Sequence, residues 1–286
     1  MKNLSNIVLS LAVVVVLTSG GYFLFRQWEA DLPELDPQDG YLVNVAAGKD
    51  LTFREVIQTR HEDVEGTGGC DVKLLYPQIE DVSGALTVIQ DSINAQITVS
   101  VKEFLTTDGD EDLDHAATSF VSSCKADLTD LVAQMDDPIE SAQQAWTSEV
   151  GYDIKQNANG ILSIGLSNYL NQGGAHPNIT QLFLNFDVKT GKQLSLRDII
   201  GSTRLTAFEV KEKQWLIDNN ADQLFEESLS EFNAYVANPT DEQTHRYIDD
   251  AIFYTTPEAI GIFYNPYLIA PYVAGPIAVE IMRSEL

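Results

Sequence analysis

The N-terminal apolar segment constrains this chain more than any other feature. Residues 6–25, NIVLSLAVVVVLTSGGYFLF, contain no Asp, Glu, Lys, Arg or His, and about 20 such residues are what a helix needs to cross the hydrocarbon of a bilayer. Lys2 precedes the segment, and acidic residues follow it from Glu29 onward. This asymmetry places the short side in the cytoplasm. We therefore predict a cytoplasmic tail at 1–5, a single transmembrane anchor at 6–25, and a C-terminal domain held outside the cell membrane.

A cleaved signal peptide is the alternative interpretation of this segment. Residues 7–17 would form its apolar core, and the small residues at 18–21 would offer a cleavage site. The uncleaved anchor is favoured because residues 22–25 continue the apolar run and Trp28 suits a membrane interface. Both interpretations place the folded part of the chain in an extracytoplasmic compartment.

The cysteines agree with that compartment. The chain has two, Cys70 and Cys124, and an even pair beyond an export segment predicts one disulfide. The four histidines are scattered, with no spacing typical of a metal site. We expect neither a metal nor a cofactor.

The charge of the chain is strongly negative. With 17 Lys and Arg against 43 Asp and Glu, the formal net charge is -26 at pH 7. Such a charge repels nucleic acid, which we exclude as a partner, and steers cationic proteins toward the chain at low ionic strength. Simple solubility is the less specific explanation of the same charge.

The pattern along the chain predicts its organisation. Residues 26–65 are acidic and contain several prolines, which is typical of a stalk. Apolar residues at spacings of three and four then predict an amphipathic helix; they are Leu86, Ile89, Ile93, Ile97, Val101 and Phe104. A short strand before it, at 70–76, is expected to stop at Pro77.

The second half of the chain predicts a larger domain. Strands are expected at 161–169, 182–188, 251–254, 260–264 and 277–282, with two helices in the interval 203–236. We therefore predict a small α+β subdomain at 66–150 and a C-terminal domain at 151–286. The expected fold class is α+β, with two closely associated subdomains and helices packed on one face of a largely antiparallel sheet.

Motifs of known chemistry are absent from the sequence. It contains no G-x-S-x-G, no H-E-x-x-H and no phosphate-binding glycine loop. The acidic run at 108–114 lacks the mid-loop glycine and the closing glutamate of a calcium loop. We therefore expect a binding protein and not an enzyme, although a glycosidase-like pair of carboxylates stays open with 43 acidic residues available.

Two segments stand out as candidate binding loops. The first, 171–178 (NQGGAHPN), contains the candidate residues His176, Pro177 and Asn178. The second, 264–276 (YNPYLIAPYVAGP), interleaves tyrosines with prolines, which stiffen a loop so that its aromatic rings lose little entropy on docking; its candidates are Tyr264, Pro266, Tyr267, Pro271 and Tyr272. The structural alternatives are an ordinary turn for the first segment and a covered sheet edge for the second.

These segments also carry a family resemblance. The runs SNYLNQGGAHPNITQLFLNFDVKTGKQLSLRDII and FYTTPEAIGIFYNPYLIAPYVAGPIAVEI resemble the C-terminal domain of RsiV-like anti-sigma factors, which are lysozyme receptors. The region 70–104 resembles the smaller domain that precedes it in RsiV and in the peptidoglycan deacetylase PdaC. The resemblance implies an extracytoplasmic α+β pair of domains that binds lysozyme or cell-wall glycan.

The resemblance has limits. Residues 1–5 are far too few for a domain that holds a sigma factor, and the catalytic deacetylase domain has no counterpart in the sequence. We therefore expect a membrane-anchored binding module for a cationic protein such as lysozyme, or for a cell-wall component, without sigma-factor regulation. The alternative is an envelope hydrolase that acts on peptidoglycan with two carboxylates.

Overall fold

The computed structural model describes residues 42–43, 51–80, 87–105, 112–134, 145–201, 203–239 and 252–286. The predicted tail, the predicted anchor at 6–25 and most of the predicted stalk lie outside these ranges. None of the helices in the described ranges combines the length and the apolar character needed to cross a membrane.

Six strands form the larger sheet, in the order β1-β2-β3-β4-β5-β6. They are β1 (Leu42–Val43), β2 (Thr52–Glu62), β3 (Cys70–Glu80), β4 (Trp146–Ala158), β5 (Ile161–Asn171) and β6 (Asn178–Asp187). Neighbouring strands are antiparallel except β3 and β4, which are parallel. The helices α1 (Val88–Glu103) and α2 (Leu113–Ala133) connect β3 to β4, and a connection of that length can return the chain in the same direction.

Three strands form the smaller sheet, in the order β7-β8-β9. They are β7 (Phe253–Thr255), β8 (Ala259–Tyr264) and β9 (Ile277–Met282), all antiparallel. Three helices precede them: α3 (Leu196–Ile200), α4 (Leu205–Asn220) and α5 (Glu226–Ala237). A short 3-10 helix lies between β8 and β9 at Tyr272–Ala274, and another follows β9 at Arg283–Glu285.

Each sheet is covered by helices on one face. Ile93 and Ile97 of α1 and Leu128 of α2 share a core with Leu74 and Ile164 of the larger sheet. A second core joins α4 and α5 to the smaller sheet; it includes Phe208, Leu216, Phe232, Ile260, Ile262 and Val279. Both cores follow from apolar stripes at helical spacing that meet alternating apolar positions on strands.

The two sheets contact each other through their remaining faces. The backbone N–H of Thr255 in β7 donates to the Ser163 hydroxyl of β5 at 3.2 Å, and the Asn185 amide of β6 donates to the Phe253 carbonyl at 2.8 Å. The ring of Phe183 lies 4.9 Å from that of Tyr254. The layers are therefore helix, sheet, sheet, helix.

The predicted α+β class is confirmed, and its arrangement is corrected. We expected one sheet with helices on one face, whereas the described residues form two sheets, each with its own helices. Strand β5 explains the difference: Leu162 and Ile164 face one core, while the buried Ser163 faces the second sheet. In a sequence, a small polar residue between apolar ones predicts a strand face that is open to solvent. The same small residue also allows a second sheet to pack closely on that face.

The expected end of a strand at Pro77 is wrong, since β3 continues to Glu80. The amide group of Asn94 in α1 accepts from the backbone N–H of Ile79 at 2.7 Å and donates to its carbonyl at 3.1 Å. The backbone of Ile79 therefore points away from β2, and so does that of Pro77 two residues earlier. Because β4 pairs β3 only as far as Leu74, the missing N–H of Pro77 interrupts no strand pairing.

The disulfide between Cys70 and Cys124 is present, with the Cα atoms 6.1 Å apart. It joins the first residue of β3 to α2, a helix that the sequence analysis did not predict. The described strand β2 lies within the range assigned to the stalk, so the folded part begins earlier than residue 66. The predicted boundary between residues 150 and 151 falls inside β4.

Candidate functional site

The two predicted binding loops lie side by side. The first connects β5 to β6, and the second connects β8 to β9. Asn265 ties the second loop to β6: its side-chain oxygen accepts from the backbone N–H of Gln181 at 2.7 Å, and its amide donates to the Gln181 carbonyl at 2.9 Å. The side chain thus takes the place of a neighbouring strand at the free edge of β6 and holds the second loop beside the strand that follows the first loop.

His176, Tyr267 and Tyr272 form an aromatic cluster where the loops meet. The rings of His176 and Tyr272 are stacked, with centroids 3.7 Å apart and an interplanar angle of 16°. The Nε2 atom of His176 lies 3.0 Å from the Tyr267 hydroxyl, and the two tyrosine rings lie 5.6 Å apart. The structure therefore brings together three of the candidates from separate parts of the chain.

Hydrogen bonds fix the orientation of this cluster. The Nδ1 atom of His176 lies 3.0 Å from the Pro177 carbonyl, which also accepts a hydrogen bond of 2.8 Å from the Tyr272 hydroxyl. A carbonyl only accepts, so Nδ1 carries the proton, and in the neutral imidazole Nε2 accepts from the Tyr267 hydroxyl. Burial, together with the nearby Tyr267, raises the pKa of Tyr272. The rings are held in place before any partner arrives.

Tyr267 has an unusual backbone conformation, with a φ of 70°. Positive φ is a genuine outlier for a bulky side chain, and such strain costs about 1–3 kcal/mol. The N–H of Tyr267 donates to the Ala270 carbonyl at 3.1 Å, which closes the tight turn. Strained backbone that is held by its surroundings is concentrated at functional positions.

Apolar side chains next to the cluster are open to solvent. Tyr267 and Leu268 are each 55% exposed, and Val273 is 90% exposed. We call His176, Tyr267, Leu268, Tyr272 and Val273 the aromatic surface. The sequence analysis did not single out Leu268 and Val273, although both lie in the proline-rich segment that it selected.

The remaining candidates lie at the edge of the aromatic surface, except Tyr264, which lies away from it. Asn178 is exposed, and Pro266 and Pro271 are half-buried in the second loop. Tyr264 lies elsewhere, buried in the second core: its hydroxyl donates to a Glu212 oxygen at 2.6 Å and accepts from the Lys213 ammonium at 2.8 Å. Burial, and then the Glu212 charge, raises its pKa. The structure thus separates Tyr264 from the other predicted site residues.

The N-terminus of α5 adds acidic residues beside the aromatic surface. The backbone N–H of Phe225 donates to the Ile269 carbonyl at 3.0 Å, which places the helix start against the second loop. Glu226 and Glu227 occupy its first turn. No local sequence signal connects these residues with the loop. Phe225 and Ile269 are separated in the chain by roughly four times the length of an average helix.

Buried carboxylates occur in the second core. Glu209 and Glu212 of α4 are 5% and 2% exposed, and Tyr235 hydrogen-bonds to Glu209. A third carboxylate, Glu55, is half-buried on β2 of the larger sheet; burial raises its pKa, an effect opposed by the hydrogen bond from Tyr152. A carboxylate-based hydrolase needs acids that reach substrate. Glu209 and Glu212 do not meet this requirement, because both side chains are buried between α4 and the rest of the second core. Within the described ranges, no group of three or more His, Cys, Asp or Glu side chains is placed to hold a metal.

Comparison with known proteins gives two family matches and a fold. Residues 65–179 match the family described as "Deacetylase PdaC", and residues 207–284 match the family described as "Protein of unknown function (DUF3298)". Among curated proteins, none matches this chain. The matches support a PdaC and DUF3298 type of domain architecture, whereas the RsiV-like assignment stays a prediction.

Two solved structures resemble the whole folded part. One is a member of the DUF3298 family from Bacteroides fragilis, with a TM-score of 0.61, 16% identity, and coverage of 83% of this chain and 92% of that one. Another is a DUF3298 family protein from Pseudomonas aeruginosa, with a TM-score of 0.56, 20% identity, and coverage of 83% and 93%. At these identities, the likeness shows that the fold is shared.

Proposed function

We propose that this chain is an extracytoplasmic, cell-wall-associated binding module that uses the aromatic surface to bind a cationic protein such as lysozyme. The observation that carries the proposal is the meeting of His176, Tyr267 and Tyr272 in one exposed, hydrogen-bonded cluster. Cell-wall glycan is the other ligand that such a surface fits, because tyrosine and histidine rings also stack on sugar faces. The proposal includes the N-terminal membrane anchor and excludes sigma-factor regulation and enzymatic activity.

The shape of the aromatic surface supports protein binding. Exposed aromatic rings supply large contact areas at a small entropic cost, and these rings are already fixed by their mutual contacts. Leu268 and Val273 extend the apolar area. Clusters of this kind, aromatic at the centre and polar at the rim, are typical of the residues that dominate binding energy.

The charge distribution favours a cationic partner over an uncharged one. The chain has a net charge of -26, and Glu226 and Glu227 lie next to the second loop. Opposite charges accelerate encounter and make association sensitive to salt. A glycan without charge would gain nothing from this arrangement.

The family matches agree with a cell-wall setting. The description of the matched PdaC family names a deacetylase, and the sequence resemblance connects that type of domain with peptidoglycan. The matched segment is carried here with a DUF3298 segment, which the sequence resemblance connects with lysozyme binding. These likenesses support the proposal without identifying the ligand.

The test is a calorimetric titration of the purified full-length chain with lysozyme at low and at high salt. We expect saturable binding that weakens with salt, and binding about 10-fold weaker or more for Tyr267→Ala, as for a residue that dominates an interface. Val273→Asp should also weaken binding. Val88→Asp is the matched control, since Val88 is 85% exposed on the surface of the first helix.

Two results would contradict the proposal. The absence of binding to both lysozyme and purified cell wall at low salt would remove the aromatic surface as a binding site. Release of muropeptides from purified cell wall, lost in Glu55→Gln, would instead support the hydrolase alternative, because Glu55 is half-buried and its pKa is raised.

A further inference from the structure

Tyr264 connects the aromatic surface to buried charges in the second core. It is the last residue of β8 and the first residue of the second loop, and Tyr267 of the aromatic surface follows shortly after it in the chain. We propose that Tyr264 is a positioning residue: its hydroxyl, held by Glu212 and Lys213 of α4, fixes the start of the second loop and thereby the ring of Tyr267. This inference rests on the proposed function, because it assigns a positioning group to that binding surface.

The Tyr264 hydroxyl is held from two directions. It donates to one oxygen of Glu212 at 2.6 Å and accepts from the Lys213 ammonium at 2.8 Å. The same ammonium donates to the other Glu212 oxygen at 2.7 Å, so the three groups close a ring of hydrogen bonds. All three residues are buried. Because the hydroxyl is both a donor and an acceptor in this ring, the tyrosine side chain has one orientation against α4.

The gain from this buried ring of charges lies in orientation more than in stability. A buried ion pair gives up its hydration, and packed apolar side chains of similar volume often stabilise a core at least as well. Polar groups differ from such apolar groups in that their hydrogen bonds accept only a few directions. The ring formed with Glu212 and Lys213 therefore specifies where the end of β8 lies relative to α4.

The second loop needs such an anchor because its backbone is strained. Tyr267 has a φ of 70°, a conformation that persists only where the surroundings hold it. The Tyr264 hydroxyl and the Asn265 amide hold the loop before this residue, and buried Ile269, whose carbonyl accepts from Phe225, holds it afterwards. One hydrogen bond to a charged group is similar in free energy to the strain of one positive φ. Loss of one anchor therefore lets the strained turn relax in part of the molecules.

Relaxation of the turn would disturb the aromatic surface directly. The Tyr267 hydroxyl lies 3.0 Å from the Nε2 atom of His176, and its ring lies 5.6 Å from that of Tyr272. Both contacts require the strained backbone of Tyr267. A partner that binds the assembled surface binds only the fraction of molecules in that state, so its apparent affinity falls with this fraction.

The test is the variant Tyr264→Phe in the full-length chain. It removes the hydroxyl and keeps both the ring and the ion pair between Glu212 and Lys213. We expect hydrogen exchange in peptides that cover residues 265–276 to become about 10-fold faster, as for the loss of one hydrogen bond to a charged group. Peptides from β9 should keep the wild-type rate. Calorimetric titration should show lysozyme binding about 3-fold weaker or more.

Tyr235→Phe is the matched control. It deletes the same atom from a tyrosine that hydrogen-bonds to buried Glu209 in the same core, but Tyr235 lies on α5, outside the second loop. This variant should lower the denaturation midpoint and leave both the loop exchange and the lysozyme affinity at their wild-type values. A merely structural role of Tyr264 would make the two tyrosine variants alike.

A second variant tests the link to backbone strain without any ligand. Glycine adopts a positive φ without strain, so Tyr267→Gly removes the tendency of the turn to relax. In that background, the further change Tyr264→Phe should accelerate loop exchange by about 3-fold or less, against about 10-fold in the wild-type background. An equal acceleration in both backgrounds would show that Tyr264 does not hold the strained turn.

Other results would also overturn the inference. They are wild-type loop exchange in Tyr264→Phe, an equal acceleration in Tyr235→Phe, and faster loop exchange with unchanged lysozyme affinity. Failure of the wild-type chain to bind lysozyme would instead contradict the proposed function. The exchange rates of the loop would still decide whether Tyr264 positions the rings.

Discussion

The two halves of the fold are stabilised by different means. The larger sheet with α1 and α2 has an apolar core that is cross-linked between Cys70 and Cys124. The smaller sheet with α4 and α5 has no cross-link among its described residues, and it buries Glu209, Glu212 and Lys213 next to its apolar core. The first half therefore depends on chain entropy and apolar burial, whereas the second depends on a hydrogen-bonded ionic cluster that is stable only when every member is present.

The largest expected effect comes from breaking the ionic cluster. Lys213→Met should lower the free energy of unfolding by about 3–5 kcal/mol, because it leaves the buried Glu212 carboxylate without its cation. Chemical denaturation measures the loss. Lys211→Met is the control on the same helix: Lys211 is exposed near Glu285, and its replacement should change stability by less than about 1 kcal/mol. Equal losses of unfolding free energy in the two variants would show that the buried cluster stabilises the fold no more than an exposed ion pair does.

Removal of the disulfide should have the next largest effect. The double variant Cys70→Ala/Cys124→Ala should lose about 2–4 kcal/mol, since the unfolded chain regains the entropy of an open loop. Hydrogen exchange should show the loss first in β3 and α2, with β8 retaining its protection. A reductant should destabilise the wild-type chain and leave the double variant unchanged. Uniform loss of protection would mean that the halves unfold as one unit.

The two asparagines that replace a strand partner provide a finer comparison. Asn94 is buried against Ile79, whereas Asn265 is half-buried against Gln181. Asn94→Ala should cost about 2–3 kcal/mol, because two backbone groups lose their partners away from water. Asn265→Ala should cost about 1 kcal/mol, since water reaches the exposed groups. Denaturation midpoints of the two variants test which loss is larger. A larger loss for Asn265→Ala than for Asn94→Ala would contradict the explanation by burial.

A smaller effect is expected from His61 in the first half. Hydrogen bonds to Asp71 and then to Asp63 raise its pKa. A raised pKa in the folded state means that the stabilisation is complete below the ordinary pKa of about 6.5 and is lost as the pH rises through the higher folded value. The free energy of unfolding should therefore fall slightly above neutral pH, and His61→Gln should abolish this slope. If the free energy of unfolding of His61→Gln depends on pH as in the wild-type chain, another group causes the dependence.

The opposite pH response is expected from Asp198 in the second half. A hydrogen bond from Lys192, followed by those from Ser195, lowers the pKa of Asp198 to about 2. A lowered pKa means that the stabilisation is present above the ordinary value of 3.8 and is lost as the pH falls toward about 2. Asp198→Asn should remove this component of acid sensitivity. Carboxyl chemical shifts followed through a pH titration report the pKa directly.

Much of the candidate site was predictable because its signals are local. The glycines and proline around His176 and the repeated Tyr and Pro after residue 264 marked the two loops, and both lie on the surface. Tyr264 was the exception, because burial beside Glu212 and Lys213 depends on how α4 packs on β8. The position of the acidic residues of α5 had no signal in the sequence, since it arises from a contact between distant segments.

Local rules also account for most of the secondary structure. The apolar stripe from Ile89 to Val101, the alternation in β6 and β9, and the Ser195 capping box each express a preference of a few neighbouring residues. Sequence alone thus determined these elements, the cysteine pair and the position of the candidate loops, but not α2 or β2. Tertiary structure decided that two sheets stack, that Pro77 is tolerated in a strand and that His176 meets Tyr267 and Tyr272. Those outcomes depend on which surfaces, formed by segments far apart in the chain, pack together and exclude water. No short stretch of the sequence contains that information.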